Sequence, residues 1–507
     1  MDYSTKTVSV EELPKVPLVL DGLSSRFIRE NRIIPLELKN NTFKVLMANP
    51  VNKGVIDALR VAFSADVLVY TGDGRMIDDY IARYYSQEPQ DINKIIENID
   101  ENEIDFVSEE GDDVGHLKDL ASEAPIIKLV NLLITQAVES RASDIHIEPF
   151  EDELKVRYRI DGVLHNIESA PKRLQAALVS RVKIMAKLNI AERRLPQDGR
   201  IRLRVKEKEI DLRVSCIPVL YGESVVMRIL DKEGIVIDLD KLGFPEDTLS
   251  GFRKLIVKPH GIILVTGPTG SGKTTTLYGA LDKINSPDKK IITVEDPIEY
   301  QLKGINQIQV KPQIGLNFEN TLRHIVRQDP DVIMIGEIRD LVTAEIAVQS
   351  SLTGHLVFST LHTNDAPSAI TRLIDLGVES FLLSSTIRGI LAQRLVRTIC
   401  PHCKERDPAA ISFDERASLG IPSDIYLYKG KGCEKCTFTG FYGRSGVFEL
   451  LTVDDEIRKM ILRNSDANEL RATARRVGMR TLLEDGISKV ISGVTTMSEV
   501  LRVTQEV

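Results

Sequence analysis

The chain has 507 residues, 42% hydrophobic and 28% charged, with a formal net charge of −8, which allows about three domains with large cores. The acidic balance, with no long basic run, argues against a motor that grips DNA or RNA, because such a channel needs a strong positive field. No apolar stretch approaches a bilayer span and MDYSTKTVSVEELPK lacks the regions of a signal peptide, so a cytoplasmic protein is expected, without direct membrane insertion.

Residues 1–87 read as a small α/β module. TFKVLMANP is a strand, GVIDALRVAF a helix, ADVLVYTG a strand and RMIDDYIARYY a helix. Over 88–118 the chain turns acidic and poor in core residues, which predicts a flexible, solvated linker. Order resumes in an α+β domain over 119–235. Pro125 suits a helix's first turn, and Ile126, Ile127, Val130, Leu133, Ile134, Ala137 and Val138 share one helical face. Leu154, Val156, Tyr158 and Ile160 alternate up to Asp161-Gly162, a hairpin signal, and alternation returns in RIRLRV and EIDLRVSCIPV. Cys216 shares the parity of Ile210, Leu212 and Val214 and reads as a buried small hydrophobe, with Arg213 on the opposite face. Residues 236–507 read as a nucleotide-binding α/β core with a cysteine insert at 398–442 and a helical tail at 450–507. In the tail TVDDEIRKMILRN, DANELRATARRVG and TTMSEVLRVTQ are helices, the last with Thr496 and Glu499 at capping spacing.

The core opens on HGIILVTG, a buried-strand pattern, then GPTGSGKTTT, then a helical pattern in Leu277, Ala280, Leu281 and Ile284. Gly267, Pro268, Thr269, Gly270, Ser271, Gly272, Lys273, Thr274 and Thr275 therefore form a complete phosphate-binding loop in strand–loop–helix context. Its backbone N–H groups and the helix N-terminus receive phosphate oxygens. Lys273 is expected at the β- and γ-phosphates of ATP and Thr274 on Mg²⁺.

Two further apolar strands end in acids: IITVEDPIEY in Glu295, Asp296 and Glu299, and PDVIMIGEIRD in Glu337 and Arg339. In parallel α/β sheets ligands bind outside such strand ends. Gly336 stands where the usual aspartate of this strand would be, so Glu337 is expected to serve the magnesium, directly or through water. Another acid is then left as general base, with Glu299 and Glu295 the candidates. His355 and His362 flank the strand in LTGHLVFSTLHTND, a pattern suited either to structure or to sensing the γ-phosphate and coupling sites.

Four of the five cysteines form two C-x-x-C pairs, Cys400/Cys403 and Cys433/Cys436. In a reducing compartment the spacing points to a closed structural Zn²⁺ site rather than unligated thiols, with His402 a spare donor.

In order and spacing, GPTGSGKTTT, ITVEDPIEY, RQDPDVIMIGEIRD and TGHLVFSTLHTND resemble the Walker A, Asp, atypical Walker B and His boxes of the secretion ATPases. These are the hexameric motors of type II secretion, type IV pili and DNA uptake. The resemblance covers residues 120–507 and implies a RecA-like P-loop core. SRASDIHIEP and RLPQDGRI resemble the family's second N-terminal domain, a PAS-like fold that lends arginines to a nucleotide site; Arg213 and Arg228 stand at the matching positions. The cysteine insert, which retraction motors generally lack, and the single small N-terminal module resemble the type II secretion (GspE) branch. Pilus assembly is the alternative, and a nucleic-acid translocase a more distant one. No repeated Arg-Leu-Gly motif, with which some relatives bind cyclic di-GMP, occurs in the N-terminal region. For this branch the resemblance implies a homohexamer that hydrolyses ATP to move the inner-membrane platform protein GspF, extending a pseudopilus for protein export. It also implies that the N-terminal module docks on the cytoplasmic domain of GspL, holding the motor at the inner membrane.

Overall fold

The computed structural model describes residues 31–84 apart from 40, 41, 51 and 64, and residues 123–504 apart from 206–207, 232–237 and 409–412. It also describes positions 6–7, 13, 23, 27–28 and 118. The expected linker over 88–118 lies outside the described residues but for position 118.

The N-terminal module is a four-stranded sheet ordered β1-β4-β3-β2: β1 (Lys6–Thr7), β2 (Ile33–Lys39), β3 (Thr42–Met47) and β4 (Asp66–Thr71). It carries α1 (Lys53–Phe63) and α2 (Gly74–Tyr84). Ile34, Phe43 and Val45 from the strands meet Leu59, Ile77 and Ile81 from the helices in a core of the module's own.

In the second region α3 (Ala124–Glu139) begins with Pro125 in its first turn, where the missing N–H costs nothing. Its buried residues include Leu129 and Leu132 as well as Ile126, Val130 and Leu133, whereas Ile127 and Val138 are only half-buried. The buried arc is wider than the one helical face read from the spacing because α3 packs both on a sheet and on α4 (Gln175–Ala186). Tyr158 donates its hydroxyl to the carbonyl of Leu133 at 2.7 Å, pinning α3 to that sheet. The sheet is antiparallel, ordered β7-β6-β5-β10-β9-β8, from β5 (Ala142–Pro149), β6 (Glu153–Ile160), β7 (Val163–Pro171), β8 (Gln197–Val205), β9 (Lys208–Val219) and β10 (Gly222–Asp231). Asp161 (φ 49) and Gly162 (φ 87) turn β6 into β7, the left-handed pair a two-residue hairpin needs. Cys216 is buried, and burial together with the neighbouring Glu223 carboxylate pushes its thiol up to about 12, so it is inert. The opposite, polar face aligns Arg159, Asp144, Arg228, Arg213 and Arg200 across five neighbouring strands.

The C-terminal region follows α5 (Glu246–Ile256) with a seven-stranded sheet ordered β13-β12-β14-β15-β11-β16-β19. Its strands are β11 (Gly261–Thr266), β12 (Ile291–Glu295), β13 (Asn306–Gln309), β14 (Val332–Ile335), β15 (Leu356–Leu361), β16 (Ile387–Ile399) and β19 (Phe441–Thr452), all parallel except β19. The central strands are buried on both faces, as strands sandwiched between helices must be. The helices are α6 (Lys273–Ile284), α7 (Phe318–Ile325), α8 (Leu341–Leu352), α9 (Ala366–Asp375) and α10 (Ser380–Thr386). Between β16 and β19 the insert contributes a small ladder, β17 (Lys404–Arg406) with β18 (Tyr428–Gly430), and α11 (Phe413–Ser418).

The tail has four helices where the sequence pattern predicts three: α12 (Asp455–Leu462), α13 (Ala467–Arg476), α14 (Leu482–Ile491) and α15 (Met497–Thr504). The extra helix, α14, carries a complete capping box, with Thr481 receiving the Glu484 N–H and Glu484 receiving the Thr481 N–H. At α15 only half of the expected box forms. Thr496 accepts from the Glu499 N–H, but the Glu499 carboxylate turns to Arg397 and Arg502 instead. Among the described residues no helix is long and apolar enough to cross a membrane.

Candidate functional site

The strand order β12-β14-β15-β11 sets the carboxyl ends of four strands side by side. Glu295 ends β12 and Glu299 lies just beyond it, Glu337 follows β14, His362 follows β15 and the phosphate loop follows β11. Segments far apart in sequence therefore line one edge of one sheet, where an α/β fold binds its ligands. Gly336 has a local reason to replace the usual aspartate. A Cβ there would meet the Val294 carbonyl of β12 at 3.2 Å, while its N–H donates to that carbonyl at 2.8 Å.

The loop runs from Gly267 to Gly272, with Pro268, Thr269 and Gly270 exposed on its lip and Ser271 buried. Gly272 adopts φ 88 as the residue before α6, a conformation that only glycine takes without strain. Lys273 folds its ammonium onto the Gly267 and Pro268 carbonyls at 2.7 and 3.1 Å. Burial holds Lys273 down to about 8; the Glu337 carboxylate opposes that shift and the Arg394 guanidinium adds to it. Glu337 also pairs with Arg339 and lies 3.4 Å from Nε2 of His362. Burial and the Lys273 charge lower the His362 pKa. Lys273, Glu337, Arg339 and His362 are thus one electrostatic group at the loop.

The other expected residues fall elsewhere. Glu295 is 3% exposed and receives hydrogen bonds from the Tyr278 hydroxyl, the Thr293 hydroxyl at 2.6 Å and Gln307 Nε2 at 3.2 Å. That carboxylate is a buried hub between β12 and α6, with both of its oxygens engaged by neighbouring side chains. His355 sits at the opposite end of β15 from His362, its Nδ1 2.8 Å from the Ser350 carbonyl. Six strand residues separate the two rings by about 20 Å, so His355 closes the α8–β15 turn and does not face the phosphate loop of its own chain. Glu299 is engaged by the second region. Arg213 on β9 donates to the Ile298 carbonyl at 3.0 Å and lies 3.5 Å from the Glu299 carboxylate. Arg228, its cross-strand partner, pairs with Asp144 at 2.9 Å and feels Glu299 at longer range. Both arginines therefore face the nucleotide-binding region, and Arg213 touches it.

Two residues that the sequence reading passed over, Gln393 and Arg394, lie under the loop on β16. Arg394 donates to both oxygens of Asn364, the carbonyl and Oδ1, at 3.1 Å, and to the Val503 carbonyl at 3.3 Å. Their signal was a polar pair inside the otherwise apolar ILAQRLV of residues 390–396.

Cys400, Cys403, Cys433 and Cys436 bring their sulfurs within 4.8 Å of one another. Three of the separations are 3.9, 3.9 and 3.8 Å, far beyond a disulfide and close to the ~3.8 Å edge of a tetrahedron with metal–sulfur bonds of about 2.3 Å. The N–H groups of Gly432, Cys433 and Gly440 donate to these sulfurs at 3.2–3.3 Å, which favours thiolates. The donor set and its spacing fit a tetrahedral metal ion.

Residues 119–502 match the family model described as "Type II/IV secretion system protein". The chain belongs to this family. Residues 3–91 match the MshEN domain. The type II secretion system protein E of Xanthomonas campestris is 55% identical over 499 residues, covering 98% of this chain and 86% of that protein. The type IV pilus assembly ATPase PilB of Myxococcus xanthus is 41% identical, covering 98% of this chain and 89% of its own. Among solved structures the Legionella pneumophila ATPase DotB, 22% identical, shares the RecA-like fold with a TM-score of 0.55 over 74% of this chain and 95% of its own. The chain is an ATP hydrolase of the secretion ATPase family, and its similarity favours the type II branch over the pilus one.

Proposed function

We propose that this chain is the motor of a type II secretion system, working as a ring of six that converts ATP hydrolysis into pseudopilus growth and protein export. The observation that carries the proposal is the convergence of the phosphate loop, Glu337, His362 and the Glu299 segment on one sheet edge, with Arg213 reaching that edge from another domain. In this reading Lys273 binds the β- and γ-phosphates, Thr274 and Glu337 hold magnesium and its water, and His362 reads the γ-phosphate through Glu337. Magnesium supplies charge neutralisation at the transferring phosphate when bound. Glu299 is the general base, withheld by Arg213 here and presented as the second domain moves; Arg213 and Arg228 then stabilise the phosphate charge. Zinc in the four-cysteine cluster is structural, since four thiolates leave no open position.

The same reading divides the chain into a docking module at 1–87, a PAS-like domain at 119–235 and the ATPase domain at 236–507. A separate core in the first supports its autonomy. It docks on the cytoplasmic domain of GspL, and the ring moves the platform protein GspF, so the motor works in the cytoplasm against the inner membrane. Deleting residues 1–90 tests this. ATP hydrolysis should persist while recruitment to membranes carrying GspL is lost; recruitment that survives the deletion contradicts the assignment.

A further inference from the structure

The phosphate loop rests on a strand that outlasts its neighbour. β16 runs parallel to β11, with Ala392 opposite Thr266. There β11 ends and the chain turns into the loop, but β16 continues through Gln393, Arg394 and Leu395, paired on its other side with β19. These residues form the floor of the loop. A Cβ at Gly267 would lie 2.5 Å from the Gln393 carbonyl, and one at Gly272 would lie 2.7 Å from Gln393 Nε2 and 3.6 Å from Leu395.

Gln393 is 2% exposed, and its Oε1 accepts the hydroxyl proton of Thr276, itself fully buried, at 2.7 Å. The two ends of one carboxamide thus touch both sides of the loop–helix junction: Nε2 lies against Gly272, and Oε1 holds Thr276 one helical turn later. Lys273, Thr274 and Thr275 lie between those two points. Packing alone would be served by a leucine or methionine, and an amide is costly to bury unless its polar atoms are used. We infer that Gln393 is a positioning residue for catalysis: it fixes the first turn of α6, and through it the Lys273 ammonium and the Thr274 hydroxyl that receive the metal–nucleotide. The inference rests on the proposed roles of Lys273 and Thr274 and adds a residue that touches neither nucleotide nor metal.

The test compares wild type, Gln393→Met, Thr276→Val and the double variant in the full chain, titrating Mg²⁺ at fixed ATP and ATP at saturating Mg²⁺. Both single substitutions keep shape and remove one partner of the hydrogen bond. Each should lower kcat/KM by about tenfold or more, the scale of a small misplacement of reacting groups, and each should raise the Mg²⁺ concentration for half-maximal rate. The double variant should be no worse than either single one, because the two residues act as a unit. A merely structural role would lower the melting temperature without moving Mg²⁺ half-saturation. That outcome, or losses that add in the double variant, overturns the inference. Turnover by wild type in the same assay reads the ATP assignment separately, so an unshifted Gln393→Met beside an active wild type removes the role of Gln393 alone.

Discussion

Asp161 Oδ2 accepts a hydrogen bond from the backbone N–H of Gly443 at 3.1 Å, joining the β6–β7 hairpin tip to the strand that leaves the four-cysteine cluster. Arg141 and Arg444 each lie 3.9 Å from the same carboxylate, and the Arg141 guanidinium stacks 3.6 Å over the Tyr442 ring. Behind this contact the Cys400 N–H donates to the Gly440 carbonyl at 2.9 Å. The PAS-like sheet is thereby latched to the insert within one chain. Asp161→Ala removes a charged acceptor worth about 1.5–3 kcal/mol, so hydrogen exchange at Gly443 should speed by about tenfold or more in a peptide spanning 441–446. Unchanged exchange would mean that the latch carries no load.

The metal makes a linked prediction. Purified protein should hold about one zinc per chain, and Cys433→Ser should lose it. Because Gly440 immediately precedes the strand that carries Gly443, loss of the metal should also loosen the Asp161 contact, raising exchange over 441–446 while ATP binding persists. Metal analysis finding no zinc in freshly purified protein would remove the assignment.

Lys273 makes ATP affinity pH-dependent. Its ammonium is held down to about 8 in the free protein, and bound phosphate must raise it, since a neighbouring negative charge favours the protonated form. A group whose pKa rises on binding contributes fully below its free value and loses that contribution as pH climbs from the free value through the bound one. Affinity for ATP should hold steady up to about pH 8 and then weaken by as much as tenfold per unit. A flat profile to pH 9.5 would show that the ammonium is not the phosphate's partner.

Arg213 predicts a dependence on assembly. An arginine supplied to a phosphoryl-transfer site is worth about 10³–10⁵ in rate. In the single chain Arg213 is held on the Ile298 carbonyl and beside Glu299, and in the proposed mechanism it reaches the phosphate only as the second domain moves within the ring. Dilute single chains should therefore hydrolyse slowly, and activity per chain should rise with concentration. Arg213→Ala and Arg228→Ala should each flatten that rise. Variants with the wild-type concentration dependence would return both arginines to ordinary polar-face residues.

Much of this was legible because periodicity reports burial. The alternation ending in Asp161-Gly162 and the glycine positions of the loop are local requirements written into local sequence. What escaped was set by tertiary contact. Glu295 and Glu299 share one motif, yet only the fold reveals that the first is sealed under Tyr278 and the second held by Arg213. His355 and His362 bracket one strand symmetrically in sequence, and a parallel strand sends its two ends to opposite edges of the sheet. Gln393 has no motif at all, because its meaning comes from β16 outrunning β11. The helix α14 was recoverable, since Thr481 and Glu484 stand at capping-box spacing.

The central claim is that hydrolysis at this phosphate loop powers export. Its most direct test is the export of type II substrates by a strain lacking its own copy and complemented with either wild type or Glu337→Gln. Glu337 sits beside Lys273 without forming the loop, so the variant should still bind ATP while hydrolysing it slowly. Wild type should restore export and Glu337→Gln should not, despite equal protein levels and bound nucleotide. Export at the wild-type level by Glu337→Gln, or wild type restoring surface pili and no export, would contradict the account.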